Sequence, residues 1–192
     1  MTNDAGTIQV YDLIHHQDNS AGFQPLGGAN PAVNIGLKWL CGCTGLFVVN
    51  PGGVYYAHYF ESPSFDTDAN FQTQVIDFLG SPALVNGFPG LLQYQTVFNS
   101  RDTRIYILTP EDENAPTTAQ YAARMVQIRT AINGIIPLAP NAVEYLYVAP
   151  ESTSRAGRYA MRSTVQGRAL FQYDSGNTPP MRLYFETNLQ PM

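Results

Sequence analysis

Residues 40–60 read LCGCTGLFVVNPGGVYYAHYF, and this stretch predicts two β-strands joined by a tight turn. The segments 46–49 and 54–60 are runs of β-branched and aromatic residues, which are typical of strands. The intervening residues 50–53 combine the fixed φ of a proline with glycines that tolerate positive φ, as a reversing turn requires. The sequence therefore predicts a β-hairpin here.

The turn also predicts which residues of the two strands face each other. With a two-residue loop at 51–52, Gly45 lies opposite His58. Cys43 precedes Gly45 by two residues, so its side chain shares the sheet face of His58 and lies diagonal to it. A three-residue loop would shift the register by one residue and place the thiol on the opposite face. The turn chemistry favours the first register.

A thiol beside an imidazole is the minimal unit for nucleophilic acyl chemistry. The imidazole of His58 takes the proton, and the resulting ion pair lowers the pKa of the thiol, which predicts a competent thiolate at neutral pH. Cys41 points to the same face but lies further from His58, so we expect Cys43 to be the nucleophile. Gly42 and Gly45 flank this thiol and would let a substrate approach the backbone closely. The alternative interpretation is a buried structural thiol and a core histidine.

The motif at residues 40–44, Leu-Cys-Gly-Cys-Thr, is followed by the hairpin and by a histidine 58 − 43 = 15 positions past Cys43. This arrangement resembles the Cys-His core of the cytotoxic necrotizing factor catalytic domain. That superfamily, with the lethal-factor and chemotaxis-receptor deamidases, uses a Leu-Ser-Gly-Cys-type motif and a downstream histidine to convert a protein glutamine to glutamate. Cys41 stands where the family often has serine.

The resemblance implies a toxin-like, effector-like cysteine hydrolase that acts as a protein-glutamine deamidase, with transglutamination as a side reaction. It implies no cofactor, and its partner is a protein substrate that carries the target glutamine. Main-chain N–H groups near Cys43, those of Gly42 and Thr44 among them, would hold the oxyanion. Some relatives orient the histidine with a threonine six residues before the cysteine, but Leu37 occupies that position. We therefore expect a main-chain carbonyl or a side chain such as Asn34 to do so.

Metal binding is a rival interpretation of the same residues. Five side chains of zinc-ligating type are present: His15, His16, Cys41, Cys43 and His58. Their spacing matches no recognised zinc pattern, because Cys-x-Cys followed by one histidine leaves the ligand set short. The sequence therefore predicts no metal site.

Composition bounds the class of protein. The 192 residues, 44% hydrophobic and 12% aromatic, fit one globular domain that spans 1–192. The net charge of −5 and the single lysine argue against nucleic-acid binding, which needs clustered cations. The sequence contains no run of ~18 apolar residues, so it predicts no membrane-spanning helix. The oligomeric state and the target protein stay open.

The compartment is constrained by the cysteines and by the N-terminus. Two cysteines only two positions apart fit disulfide geometry poorly, so two thiols favour a reducing compartment such as the cytoplasm. The N-terminus shows no signal-peptide pattern. Secretion or delivery into a host cell stays open.

The remaining pattern predicts an α+β fold, a β-sandwich of mixed or antiparallel sheets with flanking helices. Helices are expected at 70–79 and 118–133, the second capped by Thr117 or Thr118 and buried through Tyr121, Met125, Ile128 and Ile132. Strands are expected at 7–14, 104–108, 143–148, 159–161, 165–173 and 181–185, and residues 17–34 are expected to form a polar loop. A non-enzymatic sandwich that binds a protein or carbohydrate through tyrosine-rich faces is the alternative function.

Overall fold

The computed structural model describes residues 8–11, 19–28, 32–38, 40–150 and 164–192. Within these residues, two β-sheets pack face to face and helices cover the outer face of the larger sheet. The smaller sheet has the strand order β1 (Ile8–Tyr11), β3 (Ala32–Leu37), β9 (Ala169–Asp174), β10 (Met181–Phe185), β11 (Asn188–Gln190). The larger has the order β2 (Ser20–Pro25), β5 (Gly53–Tyr59), β4 (Thr44–Asn50), β6 (Arg104–Asp112), β7 (Ala115–Ala119), with β8 (Val143–Tyr147) pairing with β6.

Both sheets are mixed, because one parallel pair interrupts each otherwise antiparallel arrangement. The parallel pairs are β1 with β3 and β6 with β8. The helical segments are α1 (Asp68–Phe71), a π-helical turn (Gln72–Ile76), α2 (Asp77–Leu79), a 3₁₀ turn (Leu91–Tyr94), α3 (Gln95–Phe98) and α4 (Ala122–Ile135). The predicted α+β sandwich with flanking helices is confirmed. None of the helices in the described part of the chain is long and apolar enough to cross a membrane.

The β4–β5 hairpin has the predicted register. Gly45 faces His58, and the loop between the strands consists of Pro51 and Gly52. The side chain of Asn50 fixes this turn, since its Oδ1 accepts a hydrogen bond from the Gly52 N–H at 2.7 Å. Its Nδ2 donates to the Val97 carbonyl at 2.5 Å, which ties the turn to α3.

The hairpin strands are apolar throughout because both of their faces are buried. Alternate residues of β4 and β5 enter two separate cores. One lies between the sheets and includes Phe47, Val49, Val54, Tyr56, Phe171 and Phe185. The other lies between the larger sheet and the helices and includes Leu46, Val48, Tyr55, Phe78, Met125 and Ile128.

The long helix is close to its predicted position, but its start was predicted wrongly. It begins at Ala122, after Tyr121, and no side chain caps it. Thr117 and Thr118 lie in β7 instead, because the chain there pairs with β6 before the helix begins. Met125, Ile128 and Ile132 are buried as expected.

The first predicted helix, at 70–79, is helical throughout, from α1 through the π-helical turn to α2. It begins at Asp68, and its cap is Thr67, whose hydroxyl accepts from the Asn70 N–H at 3.1 Å. Of the predicted strands, 159–161 lies outside the described residues, and 165–173 corresponds to β9.

The prediction of a polar loop over 17–34 is wrong, because β2 lies within this range and β3 begins in it. Glycine and serine give β2 little intrinsic strand preference, and its pairing with β5 imposes the extended conformation. The strands β7 and β11 and the helical segment 91–98 had no predicted counterpart.

Truncation of Ile128 tests the packing of α4 on the sheet. We expect Ile128→Ala to lower the free energy of unfolding by ~2–4 kcal/mol, because the side chain is buried and its loss leaves a cavity. Val126→Ala is the matched control, since Val126 lies on the same helix with 52% exposure and should change stability by less than ~0.5 kcal/mol. Denaturant unfolding measures both, and equal effects would contradict this packing.

Candidate active site

Cys43 and His58 lie on the face of the larger sheet that packs against the smaller sheet. Cys43 immediately precedes β4 and belongs to the core between the sheets. His58 faces Gly45 across the β4–β5 ladder, and its neighbour at i−2, Tyr56, belongs to the same core. The two side chains are 7% and 3% exposed. The hairpin thus brings a thiol and an imidazole to one buried face, as its turn predicted.

The imidazole of His58 is buried. Neither ring nitrogen has a hydrogen-bond partner among the described residues. The ring stacks on Phe60, with centroids 4.6 Å apart and an interplanar angle of 21°. An unpartnered buried polar group costs free energy, so such a group often marks a functional position.

Ser20 is a second unpartnered polar group beside this ring. It faces His58 on the other side, across the β2–β5 ladder, and is 2% exposed. Its hydroxyl also has no hydrogen-bond partner within the described residues. Asn19 anchors this end of β2, because its Oδ1 accepts from the Phe60 N–H at 2.7 Å. No local pattern singled out Ser20, because only the pairing of β2 with β5 brings it to the site.

Burial keeps both members of the pair neutral. Desolvation raises the pKa of the Cys43 thiol to about 12, and the charges of Cys41 and Glu61 act in the same direction. Hydrogen bonds with the main chain of Glu61 and Cys41 oppose this shift. Desolvation lowers the pKa of His58 to about 3. The sequence-based prediction of a thiolate at neutral pH is therefore not met in this structure.

The main chain around Cys43 is held by a tyrosine from a distant strand. Tyr147, in β8, accepts a hydrogen bond from the Gly42 N–H at 3.1 Å and donates one to the Cys43 carbonyl at 2.7 Å. The φ of Gly42 is +92°, which favours glycine. Thr44 lies in β4 opposite Tyr59. The Gly42 N–H, predicted to hold an oxyanion, is thus engaged by a hydroxyl that sequence reasoning missed.

Asn34 makes no hydrogen bond to the imidazole. It lies in β3, in the smaller sheet, and its Oδ1 accepts a hydrogen bond from Gln172 Nε2 at 3.0 Å. Since Gln172 is its cross-strand neighbour on β9, the amide belongs to the ladder of that sheet. The expectation that Asn34 orients His58 came from assigning it to a loop.

The metal-ligating side chains do not assemble within the described residues. No group of three or more His, Cys, Asp or Glu side chains there is arranged to hold a metal ion. Cys41 and Cys43 form no disulfide. His15 and His16 lie outside the described residues.

Comparison with solved structures gives a distant likeness. No protein-family model and no curated protein matches the chain. The structure is similar to that of the C-terminal domain of CNFy from Yersinia pseudotuberculosis, with 15% sequence identity and a TM-score of 0.34. The match covers 81% of this chain and 47% of that one, so this chain spans about half the length of its structural neighbour. At that distance the likeness assigns no role to any residue.

The burial of neutral His58 predicts a pH-dependent stability. The pKa of this group is about 3 in the folded chain and ~6.5 when unfolded, so the unfolded chain binds more protons between these values. Stability should therefore fall as the pH falls through this window, by about 2 kcal/mol between pH 7 and pH 5.

Denaturant unfolding of the wild type and of His58→Phe at both pH values measures this contribution. The phenylalanine variant keeps an aromatic ring beside Phe60 and should lack the histidine's share of the decrease. Equal pH dependence in the two proteins would show that His58 is not buried in the neutral form.

Proposed function

We propose that this protein is a cysteine-dependent protein-glutamine deamidase in which Cys43 is the nucleophile and His58 is the general base and acid. The observation that carries the proposal is the buried imidazole of His58, on the same sheet face as the thiol, with no hydrogen-bond partner for either nitrogen in the described part of the chain. The Cys-His motif at residues 40–58 supports the same chemistry through its resemblance to glutamine deamidases.

The reaction begins from the neutral pair. His58 accepts the thiol proton as the sulfur of Cys43 attacks the carboxamide carbon of a glutamine, so the thiolate forms together with the new C–S bond. The carbonyl oxygen of the substrate takes the negative charge. His58 then donates its proton to the departing nitrogen, the C–N bond breaks and ammonia leaves. A thioester between Cys43 and the substrate remains.

Water completes the cycle. His58, neutral again, removes a proton from a water molecule, whose oxygen attacks the thioester carbon. The C–S bond breaks, the thiol of Cys43 regains a proton, and the target side chain leaves as glutamate. An amine in place of water would give transglutamination at the same step.

Ser20 is the residue we assign to orient the imidazole. A side chain directly opposite on a neighbouring strand places its Cβ about 4.5–5.5 Å away, within reach of a hydroxyl-to-nitrogen hydrogen bond after a rotamer change. Among the described residues, neither the Ser20 hydroxyl nor the ring nitrogens of His58 have a hydrogen-bond partner. A hydrogen bond from Ser20 to one ring nitrogen would fix the tautomer and leave the other nitrogen for the thiol proton.

The oxyanion would be held by main-chain N–H groups beside Cys43. Without a substrate, the N–H of Gly42 donates to the Tyr147 hydroxyl. We assign the Tyr147 hydroxyl as the acceptor that the substrate oxygen replaces. Until the substrate binds, this hydroxyl satisfies the N–H of Gly42.

The tyrosine-rich surface that favoured a non-enzymatic binding module is smaller than the composition suggests. Five tyrosines have buried side chains and serve the cores: Tyr55, Tyr56, Tyr59, Tyr106 and Tyr147. These five side chains are not available to a partner at the surface.

Substitution of either member of the pair tests the reaction. We expect Cys43→Ser and His58→Ala each to abolish ammonia release from glutamine-containing proteins, because one lacks the nucleophile and the other the proton acceptor. Wild type should add about one mass unit to its target, the difference between a carboxamide and a carboxylate. Cys41→Ser is the matched control and should stay active. Full activity of Cys43→Ser would refute the mechanism.

Ser20→Ala tests the orienting role separately. We expect kcat to fall by about tenfold to a hundredfold with little change in KM, since the hydroxyl acts on the imidazole and not on the substrate. Ser20→Thr, which keeps a hydroxyl, should recover much of the rate. If threonine restored nothing while both variants stayed folded, the orienting role would be wrong.

A further inference from the structure

Three side chains form a hydrogen-bonded cluster, the rim cluster, beside the Cys43 segment: Glu61, Gln120 and Tyr121. Glu61 follows the last strand of the hairpin, and the other two residues connect β7 to α4. Oε1 of Glu61 accepts a hydrogen bond from the Tyr121 hydroxyl and another from Gln120 Nε2 at 3.2 Å. The rim cluster therefore joins two distant parts of the chain through one carboxylate.

The rim cluster adjoins the proposed nucleophile. A Cβ added to Gly42 would overlap Oε2 of Glu61, so the carboxylate lies directly against the main chain of the residue before Cys43. The charge of Glu61 contributes to the raised pKa of both cysteine thiols. The thiol of Cys43 in turn contributes to the raised pKa of Tyr121, after burial and the Glu61 hydrogen bond.

Gln120 places a glutamine carboxamide in this cluster. Its Nε2 donates to Glu61 at 3.2 Å and to the Tyr121 hydroxyl oxygen at 3.1 Å. A carboxamide nitrogen has two hydrogens, and both thus find an acceptor. Since a carboxylate only accepts hydrogen bonds, Glu61 selects the nitrogen end of the group.

We propose that Glu61 and Tyr121 bind the carboxamide NH₂ of the substrate glutamine, and that Gln120 is an internal occupant which the substrate displaces. This inference rests on the proposed deamidase function and names the residues that recognise its substrate. Gln120 is exposed, whereas Glu61 and Tyr121 are half-buried. The occupant therefore reaches the pair from the solvent side, and a protein glutamine can replace it without disturbing either core.

Such a pair distinguishes the substrate from the product. A glutamate side chain has no N–H to donate, and its charge is repelled by the carboxylate of Glu61. A site built to accept hydrogen bonds from an NH₂ group rejects an analogue that lacks those hydrogens, because its own polar groups are then left unpaired. The pair thus favours binding of the amide and release of the acid.

Alkylation of Cys43 tests recognition without requiring turnover. Iodoacetamide carries a carboxamide and iodoacetate carries a carboxylate. The ratio of their alkylation rates at Cys43, measured by peptide mapping, therefore reports on recognition of the carboxamide by Glu61 and Tyr121. We expect Glu61→Gln to reduce the preference for iodoacetamide about tenfold, which corresponds to ~1.4 kcal/mol. Gln120→Ala should accelerate alkylation by iodoacetamide several-fold. Glu113→Gln, which removes an exposed charge elsewhere, is the matched control and should change neither.

Ammonia release from a glutamine peptide separates the two proposals. Gln120→Ala should lower KM about threefold to tenfold with kcat little changed, because it removes a competitor. Glu61→Gln should raise KM. An alkylation ratio that depends on Glu61, in a protein that releases no ammonia, would support the carboxamide pair and refute the deamidase. Ammonia release with no dependence on Glu61 or Gln120 would refute only the proposed binding by Glu61 and Tyr121. An unchanged alkylation ratio would refute the same proposal, and so would a failure to label Cys43 in every variant.

Discussion

The register of the β4–β5 hairpin is the constraint on which the rest of the structure depends. A turn of two residues sets Gly45 opposite His58. This register determines which side chains of the two strands enter the core between the sheets and which enter the core beneath the helices. A shift of β4 by one residue relative to β5 would exchange the faces of β4, moving Cys43 towards the helices and bringing Leu46 between the sheets. Asn50 opposes such a shift, because its side chain holds the turn and ties it to α3.

The same burial that stabilises the hairpin determines the electrostatics of the candidate site. Two packed sheets exclude water from the thiol and the imidazole, so each is held in its neutral form. Catalysis from such a state requires proton transfer during attack and not a preformed ion pair. The rim cluster of Glu61, Gln120 and Tyr121 lies against the main chain of Gly42, next to Cys43, and we propose that this cluster distinguishes the amide from the acid.

Much of the site could be predicted, because the relevant information is local. The turn at 51–52, the two-residue period of strands and the Cys-x₁₄-His spacing were sufficient to place Cys43 and His58 on one face. Asn34 was assigned wrongly for the opposite reason: β2 and β3 lack a strong strand pattern, so their residues were assigned to a loop. Tyr147 and Ser20 reach the site through pairings with β6 and β5, which leave no mark in the local sequence.

The sequence by itself determined the hairpin, its register, the amphipathic helix that became α4 and the α+β class, since each follows from turn chemistry or from the period of apolar residues. Tertiary structure alone decided which groups surround the thiol. Glu61, the adjacent pair Gln120 and Tyr121, and Tyr147 come from three places separated by up to 86 residues along the chain, 147 − 61 = 86. Hydrogen bonds between such groups depend on how sheets and helices pack, and packing is a property of the whole fold and not of any segment.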